Sequence, residues 1–336
     1  MNQISNNEKI LFLEYEFNQR LYFNEDGSLH KIMQNHHDTI LKKTINNEII
    51  LSITFEELAE FYLMYGLYSK MFFNEKKANH LLASASCYAY GLLVFFNKGC
   101  SDTHTSIVIM RKAIYTWSSL FLVGWEDEAI HVGNELIDSL NKNGNIIRYG
   151  NRLYPESWFV LELFSLAFEK PFNKERVDYP EKMQGYEIIL EKWDTKHLTL
   201  VDDFVTVLCD LHLQTREPNE DEPDFEYLNF NKSIMKYYPY TVMGYLAMRK
   251  YTGLKNPTKF THPLMNTPIA KMFLNIKEPL PKPAELPYTK ELLEKLKEKC
   301  PDVEIPEWLE GNTEQVLEAK KEETQNNDII PDDFLK

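Results

Sequence analysis

Residues 54–73 read TFEELAEFYLMYGLYSKMFF, and this run has the pattern of a helix with its own start signal. Thr54 followed by Glu57 is a capping box, in which two side chains satisfy backbone N–H groups of the first turn. Apolar and aromatic residues then recur at helical spacing, at Leu58, Phe61, Tyr62, Tyr65 and Tyr68. The sequence therefore predicts a helix over Phe55–Phe73.

The same periodicity continues along the chain, with short polar links between the apolar runs. It predicts helices at Glu75–Asn97, Asp102–Val123, Glu126–Lys142, Pro155–Lys170, Leu200–Gln214, Lys232–Tyr251 and Thr289–Cys300. Helices with short links pack antiparallel to their neighbours. We therefore expect a mainly α fold, an array or bundle of antiparallel helices with short loops. Near the N-terminus, Ile10–Phe17 and Glu48–Ile53 are compatible with either a small β element or helical lead-ins.

Changes in composition divide the chain into five regions. Residues 1–53 are mixed, residues 54–216 form the helical body, and residues 217–231 hold an acidic loop. Residues 232–310 combine helices with an arm rich in proline, and residues 311–336 are polar and predicted to be mobile. The acidic loop is either a domain boundary or an insertion in one continuous array, and the sequence leaves both open. Three glycines inside predicted helices, Gly66, Gly91 and Gly133, predict close helix contacts.

Composition narrows the class of protein. The chain has 51 acidic and 37 basic residues, which gives a formal net charge of −14 and disfavours nucleic-acid binding. Its four cysteines are scattered and lack CxxC spacing, which is typical of free thiols in a reducing compartment. The charge-free run Leu81–Asn97 is short for a membrane span and predicts a buried helix. We expect a cytoplasmic protein that binds no membrane.

No residue pattern predicts catalysis, a metal or a cofactor. Asp202, Asp203, Asp210 and His212 share one predicted helix, but His212 points away from Asp210 and the spacing HExxH is absent. We therefore expect solvated acids and an ordinary histidine there. Cys100 and His104 flank a helix start, where Asp102 or Thr103 is the natural N-cap. The clustered aromatic residues are predicted to be core: Trp117, Phe121, Trp125, Trp158, Phe159 and Phe164.

The best candidate for a functional surface is the acidic loop. Residues 217–226 carry six carboxylates and no basic residue, and two prolines prevent a helix there. Such a segment is either a solvated connector or a site that attracts a basic partner. The candidate partner-binding residues are Glu217, Glu220, Asp221, Glu222, Asp224, Phe225, Glu226 and Tyr227.

The region 230–275 resembles a known family. It runs from Tyr237-Tyr238-Pro239-Tyr240 through a helix to Gly253-Leu254, and then to the turn at His262-Pro263. This order resembles the C-terminal part of helical immunity proteins from interbacterial polymorphic toxin systems. The resemblance implies a non-catalytic protein that binds a cognate toxin, often a nuclease or deaminase, and occludes its active surface. The alternative is a helical scaffold or adaptor that binds peptides or other proteins. A weaker third possibility is an enzyme whose site is assembled from distant residues.

Overall fold

The computed structural model describes residues 38–39, 42–44, 46, 51–72, 75–95, 110–142, 154–177, 179–214, 235, 237–283, 286 and 289–310. Within these ranges the chain is mainly helical and contains no β-strand. The α-helices are α1 (Leu51–Phe72), α2 (Glu75–Phe95), α3 (Met110–Val123), α4 (Glu126–Lys142), α5 (Pro155–Ala167), α6 (Glu187–Glu191), α7 (Leu198–Gln214), α8 (Tyr240–Tyr251), α9 (Pro268–Asn275), α10 (Thr289–Lys299) and α11 (Glu307–Glu310). Two short 3-10 helices lie at Lys174–Arg176 and Pro263–Asn266.

Helix α3 is the centre of the array. It packs against α1, α2, α4, α5, α8 and α9, and only Arg111 and Lys112 among its residues are not buried. A helix enclosed on all sides has to be apolar all round, and its sequence from Ala113 to Val123 contains no charged residue. Helix α8 follows the acidic loop in sequence and packs against α3, α5 and α7, which precede that loop. The described helices thus share one hydrophobic core.

The interior glycines permit the close helix contacts that the sequence predicts. A Cβ atom added to Gly133 of α4 would lie 2.4 Å from the ring of Phe164 in α5. A Cβ atom added to Gly91 of α2 would lie 2.6 Å from the ring of Phe55 in α1. Both distances are far inside van der Waals contact, so these helix pairs approach through their glycines.

The predicted helices are confirmed wherever the structure describes them, with differences at their ends. The bounds of α4 are those predicted. Within the segment predicted as Lys232–Tyr251, Met235 is helical and helix α8 begins at Tyr240. The prediction of one continuous helix is interrupted at Pro239, which occupies the N-cap of α8 with a non-helical backbone. Three short α-helices, α6, α9 and α11, were not predicted by periodicity, because they carry too few residues for a periodic pattern.

Several predictions lie outside the described residues. They are the possible β element at Ile10–Phe17, the N-cap at Asp102 or Thr103, the acidic loop of residues 217–231 and the tail of residues 311–336. Of the second candidate segment, Glu48–Ile53, only residues 51–53 are described, and they form the start of α1. The division of the chain at the acidic loop therefore stays a prediction. Among the helices that are described, none is both long enough and apolar enough to cross a membrane.

Candidate functional site

The candidate partner-binding residues, Glu217 to Tyr227, lie outside the described residues, but the two ends of their segment are described. Helix α7 ends at Gln214, and the chain is described again at Met235 and from Tyr237. The ring nitrogen Nε2 of His212 donates to the backbone oxygen of Met235 over 2.9 Å. The His212 ring also makes an edge contact with Tyr240, with 5.9 Å between ring centroids. The described residues on the two sides of the acidic loop are thus held together.

The first turns of α3, α5 and α8 meet at this end of the array, next to the start of α1. Here Arg111 of α3 faces Glu156 of α5 and Tyr240 of α8, and Lys112 of α3 faces Glu56 and Glu60 of α1. We call this group of residues the polar end. It is defined by Glu56, Glu60, Arg111, Lys112, Tyr115, Glu156 and Tyr240.

One half of the polar end is built around Lys112. Its Nζ atom lies 2.5 Å from Glu56 Oε1 and 3.1 Å from Glu60 Oε1, and the Tyr115 hydroxyl donates to Glu60. Burial raises the pKa of Glu56, and Lys112 only partly opposes this. Burial also opposes the charge on Lys112, but Glu60 and Glu56 outweigh it and raise the pKa of the lysine. This ion pair therefore fastens α3 to α1.

The other half is built around Arg111 and Glu156. The guanidinium Nε lies 3.6 Å from Glu156 Oε1 and stands over the Tyr154 ring. Burial raises the pKa of Glu156, although Arg111 favours its charged form. Burial, followed by the charge of Glu156, raises the pKa of the Tyr240 phenol. The Tyr240 hydroxyl lies within this cluster without a well-formed hydrogen bond. This half fastens α3 to α5 and α8.

The acids of α7 have structural partners that their sequence spacing does not reveal. Asp202 accepts hydrogen bonds from the backbone N–H of Thr261, at 2.9 Å, and from its hydroxyl. Asp210 lies 3.5 Å from Nε2 of His262, whose Nδ1 accepts the Leu264 N–H. Asp202 and Asp210 are partly exposed, as expected of solvated acids, but each also has a partner within the fold. Both hold the His262–Pro263 turn against α7.

Asp203 is exposed, and the His212 ring is hydrogen-bonded to the Met235 oxygen. The acids and the histidine of α7 therefore do not come together at one site. Within the described residues no group of three His, Cys, Asp or Glu side chains is arranged to hold a metal ion.

Cys209 is a buried free thiol, and burial raises its pKa. Cys87 is likewise free and buried.

Cys300 takes part in a disulfide. The expectation that all four cysteines are free thiols is therefore wrong for this residue. Cys100 lies outside the described residues. Scattered cysteines give no sequence signal for a pairing, because the two members meet only through the tertiary fold.

The six aromatic residues predicted to be core are buried in the structure. Trp117 uses its indole N–H to donate to the Ala129 oxygen at 2.8 Å, and its ring makes edge contacts with Phe121 and Phe164. Trp125 is different, because its indole N–H donates to Leu280 in the proline-rich arm, 2.7 Å away. Nothing in the local sequence indicates this second role of Trp125.

A cleft of about 470 Å³ lies beside Trp125, where the proline-rich arm crosses the turn between α3 and α4. Charged residues of both signs line it, including Asp127, Lys250 and Lys277. At its edge Lys282 pairs with Glu128 and stands over the rings of Trp125 and Trp308. The alternation of prolines with Leu280 and Lys282 was a usable signal for this contact, since it marks an extended segment.

Comparison with known proteins gives no relative. No family model, no curated protein and no solved structure matches this chain. The function of the chain therefore has to be inferred from its own residues.

Proposed function

We propose that this chain is a non-catalytic immunity protein, which binds a cognate protein toxin and neutralises it by occluding the toxin's active surface. The observation that carries the proposal is the charge of the acidic loop. Six carboxylates lie within ten residues of the sequence between α7 and α8, and the nearest described residues on the two sides include His212 and Met235, which are joined by a hydrogen bond. Clustered carboxylates attract a basic partner and favour one orientation of it.

The polar end supports a binding role for the same region. Its ion pairs join α3 to α1 and to α5, and Tyr240 of α8, which also contacts the His212 ring, lies beside them. Removing one partner of a buried ion pair is costly, so these pairs hold the helix starts in one arrangement. Helix ends that are already held in one arrangement lose less conformational entropy when a partner binds to them. A basic toxin that acts on nucleic acid is the partner that best fits the charge of the loop.

The proposal is tested by identifying the partner and then asking whether it is a toxin. The tagged chain is used to capture proteins from the source cell, and the captured protein is expressed alone and together with the chain. The partner alone should arrest growth, and the chain should restore it. A partner that is harmless when expressed alone would contradict the proposal.

The alternative is a helical scaffold that binds peptides or other proteins. The observation that favours it is the cleft beside Trp125, where an extended proline-rich segment already lies against the helices. A gene directly upstream that encodes a secreted toxin would favour the immunity protein over the scaffold. Several unrelated partners recovered by the same capture would favour the scaffold.

A further inference from the structure

The proline-rich arm (residues 279–287) meets the helical body through a compact set of contacts. The Leu280 N–H donates to the Val123 oxygen at 2.9 Å, and the Leu280 oxygen accepts the Trp125 indole N–H at 2.7 Å. One residue of the arm is thus held by both of its backbone polar groups. Pro279 and Pro281 on either side of it are exposed.

The sequence of the arm fixes its shape before it binds. Pro279, Pro281 and Pro283 alternate with Leu280 and Lys282, and a residue before proline is confined to the extended or polyproline II region. The described part of the arm is neither helix nor strand. Such a segment loses little conformational entropy when it docks, which is the reason aromatic grooves recognise proline-rich peptides.

The body supplies matching groups for this shape. Lys282 Nζ stands 4.5 Å from the centroid of the Trp308 ring and 5.4 Å from that of Trp125, and it forms an ion pair with Glu128. Two indole faces and a carboxylate around one ammonium group form a cation site. Gly124 has a backbone φ of +78°, which favours glycine, and a Cβ atom there would lie 3.0 Å from Cδ1 of Ile276, just before the arm, so the glycine permits the close approach of this segment.

We propose that Gly124, Trp125, Glu128 and Trp308 form a binding site for a proline-rich segment in which a lysine lies between two prolines. We call this set the Trp125 surface. The arm fills the site in cis, and the partner is a protein segment of the same Pro-Lys-Pro chemistry. A tethered ligand has an effective concentration on the order of millimolar, so the arm normally excludes the partner segment. The site does not depend on toxin binding.

The test uses the full chain and a fluorescent peptide of residues 276–287, IKEPLPKPAELP. Lys282→Glu in the chain places a carboxylate against Glu128 and should release the arm. Release is measured as faster trypsin cleavage after the exposed Lys277. The released chain should bind the peptide about ten-fold or more tightly than the wild-type chain does, because the tethered competitor is gone. Lys271→Glu, an equal charge change on α9 away from the Trp125 surface, should change neither readout.

Specificity is checked on both sides of the contact. A peptide with Lys282→Ala should bind the released chain less tightly than the unchanged peptide. Glu128→Gln added to the released chain should weaken binding of the unchanged peptide. Leu280→Pro in the chain is a second opening variant, since it removes the N–H that bonds to Val123. A chain that releases its arm and does not bind the peptide overturns the proposal, and so does failure of both variants to release the arm.

Discussion

The ring of His212, near the end of α7, donates a hydrogen bond to the backbone oxygen of Met235, 2.9 Å away. The two residues stand on either side of the acidic loop in the sequence, so this bond holds together the described residues that flank it. A chain segment with fixed ends pays less entropy to form an ordered interface. The relationship makes His212 a structural residue of the proposed binding region.

His212→Ala tests this anchoring role. The variant loses a buried ring and leaves the Met235 oxygen without its donor, so the free energy of unfolding should fall by about 2–4 kcal/mol. Urea denaturation followed by circular dichroism measures the change. His197→Ala, at an exposed histidine, should stay within about 0.5 kcal/mol of wild type. Equal stability of the two variants would mean that the His212 contact is not formed.

Arg249 should be among the most costly residues to replace. It is fully buried at the end of α8, and its guanidinium donates to the backbone oxygens of Trp193, Thr195 and Lys255 and to the side chain of Asn256. Arg249→Met would leave these buried acceptors without donors and should cost about 3–5 kcal/mol.

Two further variants isolate the part played by the guanidinium. Arg249→Lys keeps the positive charge but lacks the planar set of N–H donors of the guanidinium group. The stability of this variant should therefore lie between that of wild type and that of Arg249→Met. Lys250→Met, at the exposed neighbour, is the matched control and should change little. Full stability of the lysine variant in thermal unfolding would show that the charge alone is sufficient.

Arg111 and Glu156 should show a coupling energy in a double-mutant cycle. Arg111→Met leaves a buried carboxylate without its cation, and Glu156→Gln leaves the cation without its carboxylate. Arg111→Met should lose about 2–4 kcal/mol, and Glu156→Gln should lose less near neutral pH, because burial already disfavours the charged form of Glu156. The double variant should lose less than the sum by about 1–3 kcal/mol. A cycle of Glu156→Gln with the exposed Asp203→Asn is the control and should be additive. Additive losses for Arg111 and Glu156 would exclude their pairing.

The pKa of Glu156 predicts how this cluster responds to pH. Burial raises that pKa above the ordinary value of 4.5. The folded state therefore holds the proton more tightly than the unfolded state, and the stability that Glu156 contributes is fully present below pH 4.5. This contribution is lost as pH rises through the raised pKa. Glu156→Gln removes the titration, so the stability of wild type relative to the variant should grow as pH falls toward 4.5. A pH-independent difference in urea midpoints would contradict the raised pKa.

Local patterns predicted the elements of this fold well, because their causes are local. Helix α4 has the bounds expected from the Gly124-Trp125 turn and the three acids of its first turn, Glu126 to Glu128. Tyr240 shows the limit of this reading. The apolar pattern continues upstream of it, but Pro239 separates helix α8 from the helical residue Met235.

The contacts of the candidate sites were not predicted, because they join residues that only the tertiary fold brings together. Arg111 and Glu156 are on different helices, and each alone resembles an ordinary surface charge. The Trp125 indole reaches Leu280 at a sequence separation of 155 residues. Asp202 and Asp210 look like solvated acids until the turn at Thr261 and His262 is placed beside them. A periodic pattern assigns a residue to a face but does not identify the partner on that face.

The acidic loop gives the prediction that bears most directly on function. If it attracts a basic partner, Glu220, Asp221, Glu222 and Asp224 should speed association through long-range attraction. Charges at the rim of an interface act mainly on the association rate, and salt screens them over a Debye length of about 8 Å at physiological strength. Replacing the four acids by Ser or Asn should slow association with the captured partner about ten-fold or more at low salt, and by less at high salt.

The matched control for this prediction removes the same number of charges from exposed positions elsewhere on the body: Glu175, Glu181, Glu191 and Asp203. Both quadruple variants should keep the wild-type fold, since exposed substitutions usually cost less than about 0.5 kcal/mol. Surface plasmon resonance at several salt concentrations separates the association and dissociation rates. Slower association in the loop variant alone locates the attraction in the loop, because net charge is the same in both variants. Equal slowing in the two variants would mean that only the net charge of −14 matters, and unchanged rates in the loop variant would reduce the loop to a solvated connector.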